Sequence, residues 1–343
     1  MKLFYSKKFH FAYLFRVNSQ LPENFHPEGR LYMLNYKPEG RIIYNRMTGD
    51  SVFSEAALQE AMLRGTTLEA RAVLCDNEHN IHVNLGCMRG IIPRDECAVG
   101  IKDGSIRDIA IISRVNKAVC FKVLEIERGA NGIPFAVLSR RLAQQDCTDN
   151  YIKKLTPGDV IDAVVTHLEP FGAFCDVGCG ISALLPIDGI SVSRIPHPSA
   201  RLTVGQSIKA VVRSIDALGR LTLSTKELLG TWQENAALFS VGETVPGIVR
   251  SIESYGIFIE LTPNLAGLAE LQDDIEEGQH CSVFIKNIIP EKMKLKLIIV
   301  DFFSASYPPR EFRYFTDRKH IDSFVYSPEG CEKRIESNFT PNP

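Results

Sequence analysis

The sequence predicts an all-β protein: three small closed β-barrels in tandem, joined by helical linkers and followed by a mixed C-terminal extension. Three observations carry this reading. The block from Gly158 to Ile187 recurs without a gap from Gly242 to Leu271. Within each copy, β-branched residues fall in short runs bounded by turn residues, the signature of strands and not of helices. Each unit offers about five such runs in about 70–80 residues, the size of a small closed barrel.

The bulk properties narrow the classes. At 343 residues the chain exceeds one ordinary compact domain. It is 45% hydrophobic and 23% charged, with a formal net charge of −2. A near-neutral chain has no global attraction for a polyanion, so a nucleic-acid site must be a local cationic face with stacking groups. No apolar run approaches the roughly 18–20 residues of a membrane span, and no membrane partner is expected. The nine cysteines are scattered and contain no CxxC pair, so they read as reduced, buried small hydrophobes of a cytoplasmic protein. Cys175 and Cys179, with His197 downstream, lack the ligand spacing of zinc sites. No metal and no cofactor is expected.

Taken in order, residues 1–55 read as a leader. MKLFYSKKFHFAYLF pairs lysines with a short apolar stretch interrupted by His10, and no small-residue cleavage site follows. It reads as a weakly packed segment, or as translated sequence upstream of a start at Met33 or Met47. Residues 56–145 form the first, degenerate barrel. Here HNIHVNLGCMRGIIP, from His79, aligns with FGAFCDVGCGISALLP at an offset of 92, His82 falling on Phe174. His79 and His82 thus occupy the two positions that are aromatic in the later copies. LSRR, from Leu138, echoes LSTK, from Leu223.

Residues 152–228 give the second barrel. PFGAFCDVGCGISALLP supplies its early half and VGQSIKAVVRSIDALGRLTLS its late half, with DALGR as a hairpin turn. Residues 229–240 are read as a helical linker, part of one helix from Lys226 to Phe239 whose apolar face carries Leu228, Leu229, Trp232 and Ala236. Trp232 is assigned to packing. Residues 241–300 form the third barrel, where SYGIFIELTPNLAGLAEL repeats the early half at an offset of 84, Phe171 to Tyr255. The extension, 301–343, interleaves aromatics with Arg and Lys. It is expected to pack on the third barrel as a hairpin and helix, the alternative being RNA contact through Arg313, Tyr314, Arg318 and Lys319.

GDVIDAVVTHLEPFGAFCDVGCGISALLP, SRIPHPSARLTVGQ and VRSIDALGRLTLSTKELLGTW together resemble the RNA-binding domain named after small-subunit ribosomal protein S1. The resemblance is dense over 156–230, good over 240–300 and looser over 60–145, and the chain is similar to bacterial proteins with several such domains. It implies an OB-fold barrel whose binding face has aromatics on strands two and three, a histidine soon after, and a late Asp and Arg. Phe171 and Phe174 match the aromatics, and Asp216 and Arg220 the polar pair. Tyr255 and Phe258 match the aromatics of the third barrel. The chain departs from the pattern at the histidine, where it has Pro93, Pro186 and Glu270. It also has Ile289 and Lys294 in place of the third Asp–Arg pair. The implied partners are single-stranded RNA, mRNA above all, and the small ribosomal subunit, with no small-molecule substrate.

These residue types suit that ligand. Every base offers a flat π-face, and stacking on an aromatic is worth about 1–3 kcal/mol whatever the base. The backbone is tracked by cations: Arg194 and Arg201 from a loop of the second barrel, Lys209, Arg213 and Arg220 from its late strands, and Lys286, Lys292, Lys294 and Lys296 from the third. Residues three apart on a strand face opposite sides, so Gly172 and Gly256 are expected to bend the strand and bring both rings to one face. The alternative is that one ring of each pair lies in the core. No Walker loop, no GxGxxG and no HExxH occurs, and the Asp273–Asp274 pair has no metal-ligating partner. The chain is therefore read as a binding protein and not an enzyme: a single-stranded RNA binder without strong sequence preference, acting in translation. The alternative is a protein-interaction scaffold with a decayed RNA face.

Overall fold

The computed structural model describes residues 36–42, 52–129, 131–305, 307–308 and 311–340. Of the leader, residues 1–35 and 43–51 lie outside the described residues, so neither alternative for it is addressed.

Barrel one opens with helix α1 (Glu55–Arg64) and continues through β1 (Leu68–Cys75), β2 (Ile81–Asn84), β3 (Arg89–Ile92), the one-turn α2 (Ile109–Ile112), β4 (Ala118–Arg128) and β5 (Pro134–Ser139). Helix α3 (Arg140–Asn150) leads into barrel two: β6 (Val160–Glu169), β7 (Gly172–Asp176), β8 (Ser182–Pro186), the one-turn α4 (Ile187–Ile190), β9 (Ser207–Ile215) and β10 (Leu221–Ser224). After α5 (Trp232–Ala236), barrel three runs through β11 (Thr244–Glu253), β12 (Gly256–Thr262), β13 (Leu265–Ala269), β14 (His280–Ile289) and β15 (Lys294–Phe303). A short hairpin, β16 (Ser323–Val325) and β17 (Glu336–Asn338), closes the described chain. All three barrels are closed and share one strand order, in which the third strand pairs in parallel with the fifth and the fourth returns to the first.

Alternation builds these barrels. In β9, Ile208, Ala210 and Val212 point inward and are buried, as do Val283 and Ile285 of β14. Each core is completed by a helix at its N-terminal side. Leu58 of α1, held by the Ser54 cap and stopped by Gly65 at φ 62°, is fully buried in barrel one. Ala143 and Cys147 of α3 join the core of barrel two. Trp232 and Ala236 of α5 join that of barrel three, which agrees with a packing role for Trp232.

Two expectations need correction. The Lys226–Phe239 segment is not one helix: a 3-10 turn, Lys226–Leu228, is followed by Gly230 at φ 84° and only then by α5 with its Thr231–Glu234 capping box. A Cβ at Gly230 would meet Phe315 at 2.8 Å, so the extension's close approach breaks the helix there. The extension itself forms a hairpin with no helix among the described residues, and it does not pack on barrel three alone. Its His320 pairs with Asp159 of barrel two at 2.7 Å, and the Tyr326 hydroxyl donates to the Asn264 carbonyl of barrel three.

The barrels are tied directly to one another. The Glu39 carboxylate, buried between barrels one and two, accepts from Arg140 Nε at 2.7 Å and from the Cys120 N–H, while its own N–H donates to Asp176. Arg140 and the other donors hold the Glu39 carboxyl low against its burial. Burial and the nearby Glu39 charge push Asp176 up to about 7. Between barrels two and three, Arg201 and Arg250 share the buried Glu260 carboxylate. Asn264 donates to the carbonyls of Lys226 and Gly230.

Candidate nucleic-acid interface

The common strand order lets the three barrels be compared position by position. Across barrel two, one outward row runs His167, Phe174, Leu184, Thr222, Ser214, each residue paired with the next on the neighbouring strand. The same row in barrel three is Ser251, Phe258, Leu268, Lys296, Asn287. In barrel one it is Leu74, His82, Ile91, Val137, Glu125. The residues flanking Phe174, Ala173 and Cys175, are buried, so the row is the outer face. The structural register thus puts His82, Phe174 and Phe258 at one site.

Phe171 and Tyr255 stand in the turns just before β7 and β12. They are 54% and 66% exposed, while Phe174 and Phe258 are half-buried. Each pair meets edge to face, with centroids 6.1 Å and 6.0 Å apart at interplanar angles of 87° and 90°. The inner ring buttresses the outer one, and both stand on the outward side of the barrel.

The glycine between them acts differently from the expected bend. A Cβ at Gly172 would stand 2.5 Å from the Leu185 carbonyl oxygen, and one at Gly256 2.6 Å from that of Ala269. The glycine lets the neighbouring strand close over the turn. The irregularity lies on the preceding strand, between Val165 and His167 and between Val249 and Ser251. A matching shift between Ala72 and Leu74 occurs in barrel one.

The cations divide by barrel. In barrel two, Arg213 Nη1 lies 3.0 Å from Asp188 and Arg220 Nε 2.6 Å from Asp216, so each exposed arginine already has a carboxylate. The Arg220 backbone N–H and then its side chain hold the Asp216 carboxyl below the usual range. In barrel three, Lys286 occupies the extra position of the late strand as Arg213 does, and Lys294 stands opposite Ile289 where Arg220 faces Asp216. Lys286, Lys294 and Lys296 are exposed and make no ion pair among the described residues.

Several expected residues stand elsewhere. Lys209 is four residues from Arg213 toward the far end of β9; its N–H donates to the Tyr314 hydroxyl at 2.8 Å and its ammonium lies 3.7 Å from Asp317. The extension runs beside it, and it is not in the row. Arg201 is buried against Glu260. Arg194 is exposed in the loop that touches barrel three, where Ser193 donates to the Pro263 carbonyl, and it is not in the row.

Barrel one keeps the site and loses its chemistry. The His82 side chain is only 16% exposed, and its Nε2 lies 2.9 Å from Asp76 Oδ2. That carboxylate also accepts from the N–H groups of Glu78 and Asn80, and the His82 contact, the largest influence on it, holds it well below the usual range. His79 sits in the same turn at φ 63°, half-buried, its N–H donating to the Asp76 carbonyl. The His82 ring is thus fastened to the Asp76 turn, and His79 holds the same turn through its backbone. Where the other barrels carry Arg213 or Lys286, barrel one has Leu124, and where they carry Arg220 or Lys294 it has Phe135 beside Glu127. Burial and the adjacent Glu127 push the Glu125 carboxyl up.

One candidate escaped the sequence reading. His167, on β6 directly opposite Phe174, has a side chain 64% exposed, its Nε2 2.8 Å from Glu169 Oε1. Simple alternation along β6 mispredicts its side, because the irregularity before it shifts the phase. Among the described residues, no group of three or more His, Cys, Asp or Glu side chains is arranged to hold a metal, and no helix is long and apolar enough to cross a membrane.

Comparison with known proteins bears on this face. Residues 154–226, barrel two with its flanks, match the S1 RNA binding domain. Small ribosomal subunit protein bS1 of Staphylococcus aureus (strain COL) is 28% identical over 277 residues, covering 76% of this chain and 68% of that protein. The protein of the same name from Rhodopseudomonas palustris is 33% identical over 174 residues, covering 49% and 30%. A bS1 homolog from Bacillus cereus is 28% identical over 228 residues, covering 62% and 59%. Barrel two thus matches an S1 RNA binding domain, and the other two barrels repeat its strand order and register.

Proposed function

We propose that this protein holds single-stranded RNA, mRNA in particular, without strong sequence preference, and acts in translation on the small ribosomal subunit in the cytoplasm. It is a binding protein, not an enzyme. The observation that carries the reading is the shared face of barrels two and three: an exposed ring, a buttressing ring and late-strand cations in one register. Rings that stack on any base, with cations that follow the backbone, give affinity without sequence readout. The relatives named as small ribosomal subunit proteins support the ribosomal assignment. Phe171, Phe174, Tyr255 and Phe258 are the stacking residues, and Arg213, Arg220, Lys286, Lys294 and Lys296 the backbone contacts. A filter-binding titration of the full chain against unstructured RNA, at two salt concentrations, tests this. Binding that weakens with salt and changes little between oligouridine and oligoadenosine is expected; no binding at the lower salt overturns it.

A further inference from the structure

We propose that His167 is a third ring of the barrel-two platform, stacking on a nucleobase beside Phe174. The inference rests on the proposed RNA-binding role of that face. Three observations carry it. First, His167 is the direct cross-strand partner of Phe174, and facing residues on one side of a sheet pair lie close enough to act on one ligand. Second, a register irregularity precedes this position in all three barrels, and the fold fixes the site identically each time. Only barrel two fills it with a ring; barrel three has Ser251 and barrel one Leu74. Third, the ring is exposed and oriented. Glu169 holds Nε2 from one edge and leaves the imidazole faces unhindered by any ring contact among the described residues.

The placement also meets a gap in the face. The position at the end of β8 where the resemblance implies a histidine holds Pro186, on the strand beyond Phe174. His167 comes from the strand on the other side of Phe174. The platform therefore extends toward β6, in the order Phe171, Phe174, His167, and spans more than one base. The contact is to a base and not to a phosphate, because the Glu169 carboxylate beside Nε2 would repel a backbone oxygen approaching the same nitrogen.

The test uses the full chain and fluorescently labelled oligouridine at one fixed salt concentration. His167→Ala should weaken binding about five-fold or more, the loss of one stack at the low end of its usual worth. His167→Phe should keep affinity within about two-fold of wild type, since any aromatic face serves a stack. His167→Lys should behave like the alanine variant. Retained affinity in His167→Lys with loss in His167→Phe would assign a phosphate contact and overturn the stacking inference. Unchanged binding by His167→Ala alongside a clear loss in Phe171→Ala would overturn the inference and leave the face intact. Unchanged binding by both variants would overturn the reading of barrel two itself. The side chain is exposed, so all variants should melt as wild type does.

Discussion

Barrels one and two have the same strand order, the same register and opposite surfaces. At the site where barrel two carries Phe174, buttressing an exposed Phe171, barrel one carries His82 fastened to Asp76. At the sites of Arg213 and Arg220 it carries Leu124 and Phe135, it has Glu125 where barrel two has Ser214, and it keeps an acid, Glu127, where barrel two has Asp216. The cores are equally well filled: Phe121 and Leu138 in one, Leu185 and Leu223 in the other, are fully buried. The difference teaches that fold and binding face vary independently in a small barrel. Inward residues answer to packing, which tolerates little change. Outward residues answer only to what they touch, so a repeat can keep its shape while losing its ligand.

The comparison breaks most directly at the rings. Phe171→Ala with Phe174→Ala removes two stacks and should cost about 2–6 kcal/mol of RNA affinity, at about 1–3 each. Leu74→Ala with His82→Ala, at barrel one, should leave RNA affinity unchanged. Both are read by titration of the full chain with unstructured RNA, and a comparable loss at barrel one would erase the distinction. Phe174 is half-buried, so melting of the double variant is the accompanying measurement.

A smaller effect, on stability, sharpens the contrast. His82→Ala should destabilise the protein by about 1–2 kcal/mol, the worth of a hydrogen bond to a charged group, reduced because Asp76 is partly solvated. Asp76 has its native pKa depressed, so its stabilisation is present above the unfolded value of about 3.9 and is lost as pH falls through the native one. Stability should therefore drop on acidification below about pH 4. Asp76→Asn should flatten that slope, and an unchanged slope in urea titrations would remove the anchoring role.

The cations give the next effect down. Arg220→Ala and Lys294→Ala should each lower the salt slope of RNA binding by roughly one, if each contacts a phosphate. At low salt, Lys294→Ala should cost more, because Arg220 must leave Asp216 to reach a phosphate while Lys294 makes no ion pair among the described residues. Equal losses would show that the Asp216 pair does not compete. Smallest of all, Phe135→Arg restores a cation to barrel one where barrel two has Arg220. It should raise RNA affinity by no more than about 1 kcal/mol, since electrostatics without a stack supplies only backbone attraction.

Much of this was legible in the residues. The repeat offsets aligned His82 with Phe174 and Phe174 with Phe258, and the strand register reproduces both. DALGR marked the β9–β10 turn because its Asp and Gly suit a tight reversal. Helix α3 was not legible: RRLAQQDCTDN is polar, and its role in the core rests on small residues, Ala143 and Cys147, which leave no strong periodicity. The Lys226–Phe239 helix was overextended because its apolar spacing is helical, while the break at Gly230 comes from Phe315, far away in sequence.

What the sequence by itself determined was the repetition: three units, the strands within them, and the two ring positions of each. Those follow from local chemistry, alternation and turn residues, which act over a few positions and read out in order. Only the tertiary structure decided which candidates share a face. Lys209 and Arg201 have the same charge as Arg213, yet one stands at the far end of β9 beside the extension and the other is buried against Glu260. His167 faces outward beside Phe174 because one irregular residue shifts the phase of β6. A side chain's direction on a barrel depends on its partner strands, and a charge's availability on its neighbours in space. Both are properties of the closed barrel, and neither is written in the order of residues along one strand.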